Sequence, residues 1–217
     1  MTLAIFDLDN TLIAGDSDHL WGEFLCAQGL VDRDHFKVQN DAFYQAYGAG
    51  TLDIQAYLRF VLTPLIGKSV AEISSWHETF MSDWIEPILL QKASDLIDSH
   101  RRQGHTAIIV TATNTVVTAP IAQRLGIDWL LGCEVEIIDG HYTGLPSGTP
   151  SFQAGKVTRL QEWTQQQGHS LTGAWFYSDS HNDLPLLEAV DNPVAVDPDA
   201  RLEAIAHERN WPILSLR

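Results

Sequence analysis

Two apolar, strand-forming runs in this chain end in carboxylates. Leu3-Ala4-Ile5-Phe6 leads into Asp7-Leu8-Asp9-Asn10-Thr11, and Trp175-Phe176-Tyr177-Ser178 leads into Asp179-Ser180-His181-Asn182-Asp183. Taking an unpaired carboxylate out of water at the end of a buried strand costs several kcal/mol. A positive partner is therefore required at both places, and a divalent metal ion is the simplest one. A third run, Ala107-Ile108-Ile109-Val110, ends in Thr111-Ala112-Thr113-Asn114, and Lys156 opens a helical pattern after Phe152-Gln153-Ala154-Gly155. Each feature has an ordinary reading by itself: Asp and Asn favour turns and caps, threonine caps helices, and lysines are solvated. Their common order is not ordinary, because acidic and hydroxyl groups arrive at successive strand ends, where open α/β sheets bind ligands. The chemistry is that of an enzyme.

The elements that must position these groups follow from hydrophobic pattern. Strand-like segments fall near 2–6, 106–110, 174–178, 193–196 and 212–214, most of them separated by helical patterns. That alternation predicts an α/β fold with a parallel sheet covered on both faces. One helix starts near Pro87 and closes at Gly104; another spans Lys156 to Gln167 and closes at Gly168. Asp139-Gly140, between Glu134–Ile138 and His141–Thr143, signals a β-hairpin. Leu145 to Ser151 reads as a flexible surface loop. Residues 16–86 lack a strand and read as amphipathic helices broken at Gly29, Gly48-Ala49-Gly50 and Pro64 to Gly67. The expected organisation is a catalytic α/β core, residues 1–15 and 87–217, with a helical cap of residues 16–86 inserted after the first acidic loop, where it can close over it.

Composition narrows the function classes. With 217 residues, 45% of them apolar, the chain can bury a substantial core. A formal net charge of −15 argues against nucleic acid and against anionic membrane surfaces. Cys26 and Cys133 suggest buried small hydrophobes rather than a disulfide framework. The apolar start is broken by Asp7 and Asp9, so it does not read as a signal peptide, and no apolar run is long enough to span a bilayer. A cytoplasmic protein is expected.

The set Asp7/Asp9/Thr11, Thr111, Lys156 and Asp179/Asp183 resembles the four motifs of the haloacid dehalogenase superfamily of phosphatases. The Asp-Ser-x-Asn-Asp-Leu-Pro run from Asp179 and the insertion after the first motif resemble its phosphoserine-phosphatase-like subfamily IB, some members of which are histidinol phosphatases. The resemblance implies a Rossmann-like core with a helical cap, and hydrolysis of a phosphate monoester through an aspartyl phosphate on Asp7. It implies Mg2+ held by Asp7, Asp179 and the backbone carbonyl of Asp9, leaving the Asp9 side chain to protonate the leaving alcohol and then activate water. Thr111, Ala112, Thr113 and Lys156 would hold the phosphate. Asp183 would orient Lys156 or a metal-bound water, with Thr11, Ser180 and Asn182 in support and His181 in a packing or surface role. The partner is then a small phosphorylated metabolite, and the chain a monomer or homodimer.

Two other classes share part of this pattern. Receiver domains also gather carboxylates, a hydroxyl and a lysine around magnesium and use an aspartyl phosphate as a signal. They lack an acid two residues after the phosphorylated aspartate and a helical insertion after the first strand. A binding module with a degenerate site would have broken motifs, and none is broken. For the ester, Asp16 stands where the phosphoserine phosphatases place an acid for the substrate amine, and it also suits a helix N-cap. The arginine expected to grip the phosphoserine carboxylate is out of register: Arg59 comes two residues early, and Val61 takes the position, a rotation of about 200° on a helix. An acidic cap containing Trp21, Phe43, Tyr44, Tyr47 and Trp84 suits a cationic alcohol better. Histidinol phosphate is expected first and phosphoserine second.

Overall fold

A computed structural model describes residues 2–217. Its centre is β1 (Leu3–Phe6), every residue of which is buried. β1 pairs in parallel with β2 (Thr106–Asn114) on one side and β5 (Trp175–Ser178) on the other. Beyond β5 lie β6 (Asn192–Val196) and β7 (Ile213–Leu214); beyond β2 lie β3 (Trp129–Ile138) and the antiparallel β4 (His141–Ser147). The order β4-β3-β2-β1-β5-β6-β7 sends the chain to opposite sides of β1, which opens a crevice at its carboxyl end.

The two-residue period of the strands divides the core between the sheet faces. Ala4 and Phe6 of β1 face one hydrophobic cluster with Ile109, Tyr177 and Val194, while Leu3 and Ile5 face another with Ile108, Val110, Phe176 and Ala195. Helices α5 (Gln91–Arg102) and α6 (Thr115–Arg124) contribute to the first cluster; α7 (Ala154–Gln167), α8 (Leu184–Leu187) and α9 (Ala200–Arg209) contribute to the second.

Between β1 and α5 the chain is helical: α1 (Ser17–Ala27), α2 (Arg33–Ala49), α3 (Ile54–Val61) and α4 (Val70–Phe80). Asp16, Asp32, Asp53 and Ser69 cap their N-termini, each side chain accepting a backbone N–H. This block does not build a core of its own. Trp21, Phe24, Phe36 and Phe80 join the cluster of Ala4 and Phe6, and Leu58, Val61 and Ile73 pack with Val116, Cys133 and Tyr142 from the far side of the sheet. No helix among the described residues is long and apolar enough to cross a membrane.

Three local expectations are corrected. Pro87 starts a separate 3-10 turn (Glu86–Ile88), not α5, which begins at Gln91 after an extended Leu89-Leu90; proline fits any first helical turn, so it did not identify which helix it opened. Leu145 to Ser147 is strand rather than loop, because β4 is an edge strand and Pro146 needs no ladder donor there. β3 also starts before the hairpin, with Trp129–Leu131 paired to β2 in the sheet.

Candidate active site

Asp7 follows β1 and still donates its N–H to Tyr177 O (2.9 Å), so the sheet itself aims the side chain into the crevice. Lys156, in the first turn of α7, places Nζ 2.9 Å from Asp7 Oδ1 and 2.7 Å from Asp183 Oδ1, with all three side chains buried. Ser178 Oγ donates to Asp183 Oδ2 at 2.7 Å. Burial works to neutralise the Lys156 ammonium, but the Asp183 and Asp7 carboxylates overcome it and hold the ammonium above the usual lysine range. The Asp7 carboxyl is itself pushed up to about 7, first by burial and then, against the pull of Lys156, by the charges of Asp183 and Asp9.

Asp9 has both oxygens engaged. Oδ1 accepts the N–H of Ser17 (2.6 Å) and Oδ2 accepts the hydroxyl of Thr113 (2.8 Å). Burial, with the Asp16 charge second, raises its carboxyl to about 6. Thr11 Oγ donates to Asp179 Oδ1 (3.2 Å) and accepts the Asp179 N–H (3.1 Å), fastening the loop after β1 to the loop after β5. Thr111 Oγ accepts the Thr113 N–H at 3.2 Å, which leaves the Thr111 proton for a ligand.

Asp7 Oδ2 and Asp179 Oδ2 receive no donor from the described residues, and both residues line one cavity. The Asp179 carboxyl is raised well above its ordinary range by burial and by the charges of Asp7 and Asp183. Hard oxygen donors with unspent lone pairs and an uncompensated charge fit a magnesium-type cation.

The cavity continues from Asp7, Asp9, Thr111, Ala112, Thr113 and Asp179 into the helical block, where Asp16, Asp18, Tyr44, Tyr47 and Tyr57 line it. No lysine or arginine is among its lining residues. Asp16 holds both expected positions: it caps α1, accepting the His19 N–H at 2.8 Å, and it faces the cavity. Phe43, Tyr44 and Tyr47 line the cavity, whereas Trp21 is buried in the core against Phe24 and Phe80, and Trp84 packs on Phe24. Arg59 is exposed and Val61 is buried in the cluster with Tyr142; neither reaches the cavity.

The remaining expected residues brace the site from behind. Asn182 Nδ2 donates to Tyr47 O (3.0 Å), Ser180 Oγ accepts the Asn182 N–H (3.2 Å), and His181 Nδ1 lies 2.7 Å from Asp199 Oδ2. None of the three lines the cavity. Cys133, free and buried, donates to Ala112 O at 3.0 Å and so supports the loop after β2. Asp18 and Tyr57 line the cavity as well, and no local sequence motif marks either of them.

The family model of haloacid dehalogenase-like hydrolases matches residues 4–188. The chain is 44% identical to a histidinol-phosphatase of Neisseria meningitidis serogroup C, covering 99% of both chains. It is 33% identical to the phosphoserine phosphatase SerB1 of Mycobacterium tuberculosis, over 99% of this chain and 70% of that protein. Among solved structures it resembles a protein of unknown function from Bordetella pertussis Tohama I, with TM-score 0.93, 42% identity and full coverage of both chains. A substrate-bound phosphoserine phosphatase shares the fold, with TM-score 0.71 at 16% identity over 100% of this chain and 93% of that one.

Proposed function

Starting from the haloacid dehalogenase-like hydrolase family, to which this chain belongs, we propose that it is a magnesium-dependent phosphomonoesterase acting on a small amine-bearing alcohol phosphate, with histidinol phosphate as the first choice. The observation that carries the substrate class is the cavity beside Asp7: its charged lining is Asp9, Asp16, Asp18 and Asp179, with no lysine or arginine. The 44% identical relative named a histidinol-phosphatase supports the same choice. Phosphoserine is disfavoured because its carboxylate would meet this acidic wall with no lysine or arginine to receive it.

The Asp7 carboxylate attacks phosphorus as the ester oxygen leaves, forming an aspartyl phosphate and splitting one difficult displacement into two. Asp9 supplies the proton to the leaving oxygen. Ser17 N can only donate, so Asp9 Oδ1 stays an acceptor and the acidic proton belongs on Oδ2, where the Thr113 hydroxyl can turn from donor to acceptor. Asp9, then ionised, takes a proton from water, whose oxygen attacks phosphorus and releases Asp7 and inorganic phosphate. A carboxyl raised to about 6 suits both directions of transfer. Lys156 and the Thr111 hydroxyl hold the phosphoryl oxygens. Magnesium, held by Asp7, Asp179 and the Asp9 carbonyl, neutralises phosphoryl charge when bound.

The test is turnover of histidinol phosphate, phosphoserine, phosphoethanolamine and 4-nitrophenyl phosphate with Mg2+ and with excess EDTA, for the wild type and Asp7→Asn. Histidinol phosphate should have the highest kcat/KM, and chelator or Asp7→Asn should abolish turnover. Activity that survives both, or a preference for phosphoserine, defeats the reading.

A further inference from the structure

We propose that Asp18, positioned by Asn114, is the specificity-determining residue of the cavity, and that the cationic end of the substrate docks against it beside Asp16. The inference rests on the phosphatase reading above and deepens it to the level of a residue.

Asp18 stands in the first turn of α1 and is only 6% exposed, yet it lines the same cavity as Asp7 and Asp9. Its neighbours are fixed. Asn114 caps α6 by accepting the Val117 N–H on Oδ1 (3.3 Å), which turns Nδ2 to donate to Asp18 Oδ1 (3.3 Å). Tyr57, brought in by α3, lines the cavity alongside Asp18. Burial, with the Asp16 charge second, pushes the Asp18 carboxyl well above its ordinary range, so its ionised form is favoured when a ligand brings a positive charge to it. The charges it meets are those of Asp16 and Asp9, and no lysine or arginine lines the cavity to offset it. A buried carboxylate without a cation is costly, so a ligand that brings an ammonium or imidazolium group is favoured there. A ligand that brings a carboxylate is repelled at the same place.

Asp16 contributes to this acidic wall but also caps α1, so removing it disturbs a helix and a contact together. Asp18 accepts no capping bond, and Asn in its place keeps the shape and the hydrogen-bonding capacity while removing the charge.

The experiment compares wild type, Asp18→Asn and Tyr57→Phe for kcat/KM on histidinol phosphate and on uncharged-tail 4-nitrophenyl phosphate, with circular dichroism to establish folding. In Asp18→Asn the ratio of the two values should fall about ten- to a hundred-fold, the loss expected for one charge-assisted contact, with most of it in KM. Tyr57→Phe, which removes a hydroxyl from the cavity wall that holds this carboxylate, should shift the ratio the same way by less. A ratio within about twofold of wild type in a folded Asp18→Asn overturns the proposal; if that variant does not fold, an unshifted ratio in Tyr57→Phe overturns it. Calorimetric binding of the amino alcohol histidinol gives a readout independent of turnover: loss in Asp18→Asn supports the assignment, and equal binding refutes it. A wild type inert toward every ester would instead defeat the phosphatase reading, and calorimetry would then decide the role of Asp18 separately.

Discussion

Asp9 shows how much a single side chain here depends on two distant segments. One oxygen is held by the backbone at the start of α1 and the other by Thr113 after β2, so the carboxyl is oriented before any substrate arrives. Its raised proton affinity comes from burial first and the Asp16 charge second. If Asp9 protonates the leaving group, Asp9→Asn should lower kcat on an alkyl phosphate by about two to four orders of magnitude. The loss should be much smaller on 4-nitrophenyl phosphate, whose phenolate departs without a proton. Equal losses on the two esters, measured side by side at saturating Mg2+, would show that Asp9 acts through the metal or the loop instead. At this scale the sequence was informative wherever one short motif holds the whole signal: Asp7 and Asp9 after β1, Asp179 and Asp183 after β5. It was uninformative for Asp18, whose partner Asn114 is 96 residues away. Only the packing of α1 against the end of β2 brings that aspartate its partner.

The element that most directly sets the chemistry is α7, because its first turn carries Lys156 between two carboxylates. Gln153 enters it with a positive φ of 47°, and a Cβ at Gly155 would overlap the carbonyl oxygen of Pro150. The turn is thus as tight as backbone allows. Gly155→Ala should force the turn apart, cost about 1–3 kcal/mol as overpacking does, and lower kcat at least tenfold by withdrawing Lys156 from Asp7. Gly168, at the other end of the same helix, has φ +68 and open space around it. Gly168→Ala should cost about 1–2 kcal/mol of left-handed strain with little effect on kcat. Urea unfolding and steady-state kinetics on both variants check the contrast; similar kcat losses for both would mean that α7 transmits strain along its whole length. Helix ends of this kind were readable, since Gly104 and Gly168 both take positive φ just past α5 and α7. The strands of the sheet centre were readable as apolar runs. β3 was half-missed because Trp129–Cys133 is short and interrupted by Gly132, where a Cβ would stand 2.8 Å from Thr113 O. There the constraint is tertiary, and no local pattern records it.

Across the whole molecule, the helical segment 16–86 and the sheet are joined by shared core on two sides and by polar braces at the site. Arg201 Nη1 reaches Ala49 O (3.1 Å) at the end of α2, beside the contact of Asn182 with Tyr47 O. That the segment is helical was legible from its periodicity; that it shares its core with the sheet was not, because both halves present ordinary amphipathic faces. The assembly gathers Asp7, Asp9, Asp16, Asp18, Asp179 and Asp183 around one lysine in a chain of net charge −15. Without a bound cation, this concentration of buried negative charge works against folding, most plainly at Asp179, which faces the charges of Asp7 and Asp183. A cation that binds the folded chain alone must then stabilise it. At a hundred times its dissociation constant, Mg2+ should add about 2.7 kcal/mol, or about 5–10 °C in Tm for a chain of this size. Asp179→Asn removes both a ligand and a repulsive charge, so two opposite changes are expected in one thermal-unfolding experiment. The metal-free variant should melt above metal-free wild type, and its Mg2+ shift should fall below half of the wild-type shift. A metal-free melting point below wild type would show that Asp179 serves the fold through Thr11 more than it burdens it, and an undiminished Mg2+ shift would move the ion away from Asp179 altogether.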